Sequence, residues 1–146
     1  MQLSLEIARK ISLAYGAFCK PLCKELGLPQ TAFDILMFLG NNPAYKTASD
    51  IVDIRHIKAN LVSVNVDRLV RDGYIVRQAV KSDRRKTELL CTDKAQPIIE
   101  KGRKLQESFF TRLFANMDAD THRAFLGAMR ILEKSLDEML EEKDNP

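Results

Sequence analysis

Residues that carry covalent or metal chemistry are scarce in this chain. The three cysteines, Cys19, Cys23 and Cys91, are odd in number and form no Cys-x-x-Cys, which argues against a disulfide framework or a zinc ribbon. In a reducing compartment they are expected as free thiols. The two histidines, His56 and His122, lie far apart and outside any metal-ligand spacing. There is no Gly-rich phosphate loop, no Ser-His-Asp order and no paired catalytic carboxylates. Neither enzymatic activity nor a resident metal or cofactor is therefore expected. No apolar run approaches the roughly 18 residues of a membrane helix. The start, Met1-Gln2-Leu3-Ser4-Leu5-Glu6, lacks the basic patch and long apolar core of a signal peptide. The expected location is the cytoplasm, with no membrane partner.

What is present is a core and an uneven distribution of charge. The 146 residues are 45% apolar, which suits one domain, or one compact domain with an oligomerisation appendage. The net charge of +3 decides little. Residues 55–86, however, hold nine Lys and Arg against three acids, a local charge of +6 that leaves −3 for the rest. The last fifteen residues alone carry six acids and two lysines. A basic centre between neutral or acidic ends points to a localised polyanion site, the alternative being a solvated basic face.

Hydrophobic periodicity predicts the elements. Leu3, Ile7, Ile11, Ala14, Tyr15, Phe18, Leu22 and Leu26 form one stripe on a long first helix. Pro21 lies inside it and is expected to kink or interrupt it near Phe18. Residues 30–40 are apolar nearly all round, the pattern of a buried helix. Gly40-Asn41-Asn42-Pro43 stops it, and a short helix follows from Thr47 to about Ile54, with Thr47 and Asp50 placed as a capping box. After Arg55-His56-Ile57 a further helix, residues 58–72, ends at Asp72-Gly73, where Gly73 suits a left-handed stop. The period then changes. Tyr74–Val80 and Lys86–Thr92 are predicted strands, joined by a polar turn Lys81-Ser82-Asp83-Arg84-Arg85. Two helices close the chain, one beginning at Thr92-Asp93 and the other capped by Asp118.

Helix, short helix, connection, helix, basic hairpin is the order of a winged helix-turn-helix. The fold class is mainly α with a small β-hairpin wing. An α-helix fits the major groove of double-stranded DNA and reaches base edges, while arginines on a hairpin can enter the narrow minor groove. On residues 58–72 wound at about 100° per residue, Val62, Val66, Leu69 and Val70 face the core. Asn60, Ser63, Val64, Asp67 and Arg71 face outward. Asn60 suits a bidentate pair with adenine, or a helix N-cap. Val64 suits a thymine methyl, or is an ordinary exposed apolar residue. Lys58 suits a phosphate.

The chain resembles the MarR family of bacterial transcription regulators. The resemblance rests on Val66-Asp67-Arg68-Leu69, Asp72-Gly73-Tyr74-Ile75-Val76-Arg77, Ser82-Asp83-Arg84-Arg85 and Leu90-Cys91-Thr92-Asp93-Lys94-Ala95, in that order and spacing. It implies a homodimer that binds a pseudo-palindromic operator, usually as a repressor. In many relatives a small, often aromatic or phenolic, effector releases the DNA. It also implies a winged helix-turn-helix over residues 29–92 and a helical dimerisation region over 1–28 and 93–146. The DNA-binding set is then Lys58, Asn60, Ser63, Val64, Arg68, Arg71, Lys81, Asp83, Arg84 and Arg85. Arg84 and Arg85 would share minor-groove insertion and bracing of the hairpin, with Asp83 orienting one of them by a salt bridge. The sequence departs from relatives at His56, where Gly is common, and at Val64, often basic. It departs again at Cys91, usually Leu, and at Ala95, usually Gly.

Two other readings stay open at this level. Cys19 and Cys23, at i and i+4 beside Lys20 and Lys24, suit either a thiol-based redox sensor or small packing residues in a dimer core. The winged helix could also serve as a helical protein-interaction module, although docking a protein does not require this excess of basic charge.

Overall fold

A computed structural model describes residues 2–144 and the side chains of residues 5–143. Leu3 of the predicted stripe lies outside the described side chains. The order is α1 (Gln2–Leu26), α2 (Gln30–Asn41), α3 (Ala48–Arg55), α4 (Ala59–Arg71), β1 (Ile75–Val80), β2 (Asp83–Cys91), a 3-10 turn at Asp93–Ala95, α5 (Gln96–Leu113) and α6 (Ala119–Asp144). The chain divides into two compact units, residues 1–107 and 108–146.

In the first unit α2 is the central element. Its all-round apolar sequence puts Ala32, Phe33, Ile35, Leu36, Met37, Phe38 and Leu39 out of solvent. The same core takes Ile51 from α3, Val62, Val66 and Leu69 from α4, Ile75 and Leu89 from the hairpin and Ile99 from α5. Pro21 does not interrupt α1, which runs unbroken through it. A proline removes one helical hydrogen bond. Here the loss is offset by burial on both sides of it, because Cys19 and Cys23 are core residues of this unit.

Local signals fix the connections. Gly27 takes φ +64° behind α1. The Thr47 hydroxyl accepts from the Asp50 amide at 3.1 Å, and the Asp50 carboxylate accepts from the Thr47 amide at 3.1 Å, closing the capping box of α3. His56 adopts φ 52°, ψ 36° at the end of α3. It is a left-handed turn that His tolerates better than most residues, so glycine is dispensable there. Gly73 takes φ +83° after α4.

The hairpin departs from expectation. Its turn is Lys81-Ser82 alone, and β2 begins at Asp83, paired with Val80. The register then jumps from Val80↔Asp83 to Ala79↔Thr87. Arg84, Arg85 and Lys86 are thus extra residues bulged out of the ladder beside the turn. A bulge twists and re-aims the strand that carries it, and here that strand holds the arginines.

In the second unit Asp118 caps α6, its carboxylate accepting from the Thr121 amide at 2.7 Å. Hydrogen bonds from Thr121 hold that carboxyl below its usual pKa. The Phe114 ring stacks on His122 with centroids 4.4 Å apart and meets Phe125 at 5.7 Å. Many large apolar side chains of α6 nevertheless face solvent, among them Met129, Leu132, Leu136, Met139 and Leu140. Among the described residues no helix is long and apolar enough to cross a membrane.

Candidate nucleic-acid interface

α4 has a complete inner face and an open outer one. Val62, Val66 and Leu69 are buried, whereas Asn60, Ser63, Val64 and Arg71 are exposed together on the opposite side. The N-cap is Lys58, exposed, with no side-chain cap hydrogen bond. Asn60 therefore sits in the first turn rather than capping it, and its amide is open to solvent. Asp67, on the same outer face, pairs with Arg77 of β1. That pair ties α4 to the hairpin and neutralises the carboxylate nearest the outer face.

Arg68 is placed differently from the rest of the predicted set. Its Nη2 donates to the Gly27 carbonyl at 2.8 Å, and its Nε lies 3.6 Å from an Asp72 carboxylate oxygen. It is a strut between α4 and the end of α1. The helix period puts Arg68 on the flank, where the turn after α1 meets it.

On the wing, Lys81, Arg84 and Arg85 are exposed. Asp83 forms no salt bridge to either arginine among the described residues. Its carboxylate accepts from the Arg85 backbone amide at 3.0 Å. The predicted orienting contact is replaced by a local turn, which an Asp side chain makes readily with the backbone two residues on. Both guanidinium groups remain available.

Two further contacts hold the wing's base. The Leu89 amide donates to the Lys46 carbonyl at 2.6 Å, clipping β2 to the segment before α3. The Thr92 hydroxyl donates to the Gly73 carbonyl at 2.6 Å. Between wing and α3 lies an open cleft of ≈ 470 Å³ that includes Lys46, Asp50, Asp83, Lys86 and Glu88. Lys46 escaped sequence reasoning, since its role lies in its backbone carbonyl.

The cysteines are placed away from this face. Cys19 and Cys23 are buried, and burial pushes both thiols up, Cys23 to about 11. The Cys19 thiol is hydrogen-bonded to Tyr15, whose own hydroxyl is pushed up to about 12 by burial. Desolvation disfavours the thiolate that oxidant sensing needs, so packing is the better account of both residues. Among the described residues no group of three or more His, Cys, Asp or Glu is arranged to hold a metal ion.

A sequence model of the MarR family matches residues 26–86, from the end of α1 through the wing. Over that segment the chain is similar to the MarR family. Solved structures extend the likeness to nearly the whole chain. A MarR transcriptional regulator from Methanosarcina mazei Go1 is 17% identical, with TM-score 0.81, covering 95% of this chain and 99% of its own. A MarR protein from Peptoclostridium difficile is 18% identical, with TM-score 0.80, covering 92% and 88%. A MarR-family regulator from Listeria monocytogenes, solved in complex with a 26mer DNA, is 20% identical, with TM-score 0.80, covering 97% and 94%. At these identities the likeness is one of fold. No curated protein matches the sequence. The chain has the fold of MarR-family transcription regulators.

Proposed function

We propose that this chain is a homodimeric regulator of the MarR family that binds a pseudo-palindromic operator and represses the adjoining genes, with a small aromatic or phenolic effector releasing the DNA. One observation carries the DNA reading. The outer face of α4 and the bulged strand of the wing together expose Lys58, Arg71, Lys81, Arg84 and Arg85, with no ion pair to any of them among the described residues. Unpaired cations on a helix and an adjacent hairpin suit phosphates along a duplex.

The homodimer is supported by α6. Phe125, Met129, Leu132, Leu136, Met139 and Leu140 are all exposed, and at about 100° per residue they share one sector of the helix. An apolar stripe of that extent marks an association surface. A C2 dimer would give two DNA-reading helices and so a two-fold operator.

Titrating random-sequence duplex binding against salt tests the DNA reading. The expected result is measurable binding at low salt that weakens steeply as salt rises. Arg84→Ala with Arg85→Ala should weaken binding uniformly across sequences and flatten the log–log salt slope by up to ~1.8, or about 0.9 per lost phosphate contact. Absence of binding to any duplex at low salt overturns the proposal.

A further inference from the structure

We infer that Leu61 and Val64 act as a pair that reads thymine methyl groups on neighbouring base pairs of each half-site. The inference rests on the DNA-binding reading above and goes beyond it by naming the chemistry of the bases selected.

The two residues stand out against the rest of their helix. Val62, Val66 and Leu69 are almost fully buried, so α4 already has its core face. Leu61 is 45% exposed and Val64 65% exposed, although neither is needed for that core. They lie three residues apart, which brings side chains of a helix next to one another, with Cβ atoms about 5–6 Å apart. Both belong to the N-terminal half of α4, the part of a recognition helix that reaches base edges. Their axial separation is about 4.5 Å, close to the ~3.4 Å step between base pairs. The pair is therefore matched to adjacent base pairs rather than to one.

The backbone beneath them is held. Asn65 is buried, and its Nδ2 donates to the Leu61 carbonyl at 2.8 Å. Its amide is turned into the protein and fixes the turn that carries Leu61. Charge decides what covers the strip. No acid lies in the first turn of α4, Lys58 precedes it and Arg71 ends it. The one outward acid, Asp67, is paired with Arg77. An apolar strip between free cations fits the floor of a groove whose walls are phosphate. Two side chains supply far too little apolar area for a protein partner, which needs about 800 Å² from each side. In the major groove the C5 methyl of thymine is the one apolar group a base pair presents, and cytosine lacks it.

The test uses the full chain and a duplex selected by it from a random pool. Each thymine is replaced in turn by deoxyuridine, which removes the methyl and leaves the hydrogen-bonding edge unchanged. Binding is expected to weaken about fourfold, the worth of one buried carbon, at each of two adjacent positions in each half-site. Leu61→Ala and Val64→Ala should each erase the thymine–uracil difference at one of those positions. The deoxyuridine series on the unaltered protein does not depend on how either variant folds. Equal binding of thymine and uracil duplexes at every position overturns the methyl readout and leaves DNA binding standing. Failure to bind any duplex overturns both. A change of oligomeric state in Leu61→Ala, with the thymine preference intact, also overturns the assignment.

Discussion

Gly102→Ala and Gly127→Ala make the same chemical change inside two helices, and the structure gives them opposite signs. In α5, a Cβ on Gly102 would lie 2.7 Å from Met37 Cε, closer still to its Sδ, and 3.2 Å from Phe33 Cζ. Met37 is 2% exposed and Phe33 fully buried, so neither has open space to move into. Overpacking of this kind costs about 1–3 kcal/mol, while replacing glycine by alanine within a helix returns about 1 kcal/mol. The net effect expected for Gly102→Ala is a loss of up to about 2 kcal/mol. In α6 nothing lies within 4 Å of a Cβ on Gly127. That residue is also on the side of α6 away from the Met129–Leu136 stripe, so a second copy covering the stripe would not reach it. Gly127→Ala should gain up to about 1 kcal/mol. Helix propensity cancels in the difference between the two variants, which isolates the contact of α5 with α2 at about 1–3 kcal/mol. Urea denaturation at one fixed protein concentration reads it, since association shifts apparent stability. If Gly102→Ala proves as stable as Gly127→Ala, α5 does not approach α2 as described.

Arg68→Ala should lower stability by about 1 kcal/mol, the worth of a charged hydrogen bond reduced for exposure. It should leave the salt slope of random-duplex binding unchanged; a flatter slope at unchanged stability would return Arg68 to the DNA contacts. Cys23, pushed from 9.0 to about 11 by burial, should hold roughly 100-fold less thiolate near neutral pH than an ordinary thiol. Iodoacetamide should therefore alkylate it far more slowly in the native protein than in urea, and equal rates would revive a redox role. The Asp50 carboxyl is raised by slight burial, but hydrogen bonds from Thr47 and Lys46 and the charge of Lys86 outweigh this and leave it below its usual 3.8. The stability it contributes is complete above the ordinary carboxylate range and is lost as pH falls through the lowered pKa. The gap between the wild type and Asp50→Asn should accordingly close in acid, and a gap independent of pH would refute the capping role.

Most of the winged helix was legible because local chemistry specified it. Thr47 with Asp50, His56 and Gly73 each act within a few residues of themselves, and each does what its type and position predict. The departures come from contacts distant in sequence. Pro21 reads as a break until Cys19 and Cys23 are seen to bury both sides of it. Arg68 reads as an outward cation until Gly27, 41 residues away, supplies a carbonyl. Asp83 reads as an arginine's partner until the register of the hairpin turns its carboxylate toward the Arg85 amide. Leu61 carries no outward signal in the sequence, because at about 100° per residue it falls between the core face and the outer face. Only the packed helix shows that the inner face was already full.

These relocations sharpen the division of labour at the candidate interface. Arg68 and Arg77 are engaged inside the protein, and Asp67 is neutralised by the second of them. The cations left open stand at the two ends of α4 and on the bulge of the wing, while the N-terminal outer face of the helix between them is amide, hydroxyl and hydrocarbon. A surface so arranged separates two properties that a uniformly basic helix would merge. Phosphate attraction comes from its borders and falls with salt. On the proposed reading, base choice comes from Asn60, Leu61, Ser63 and Val64, whose contacts with base edges depend on hydrogen bonding and methyl burial and are largely insensitive to salt. Raising the salt should therefore lower affinity for all duplexes while preserving the preference among them.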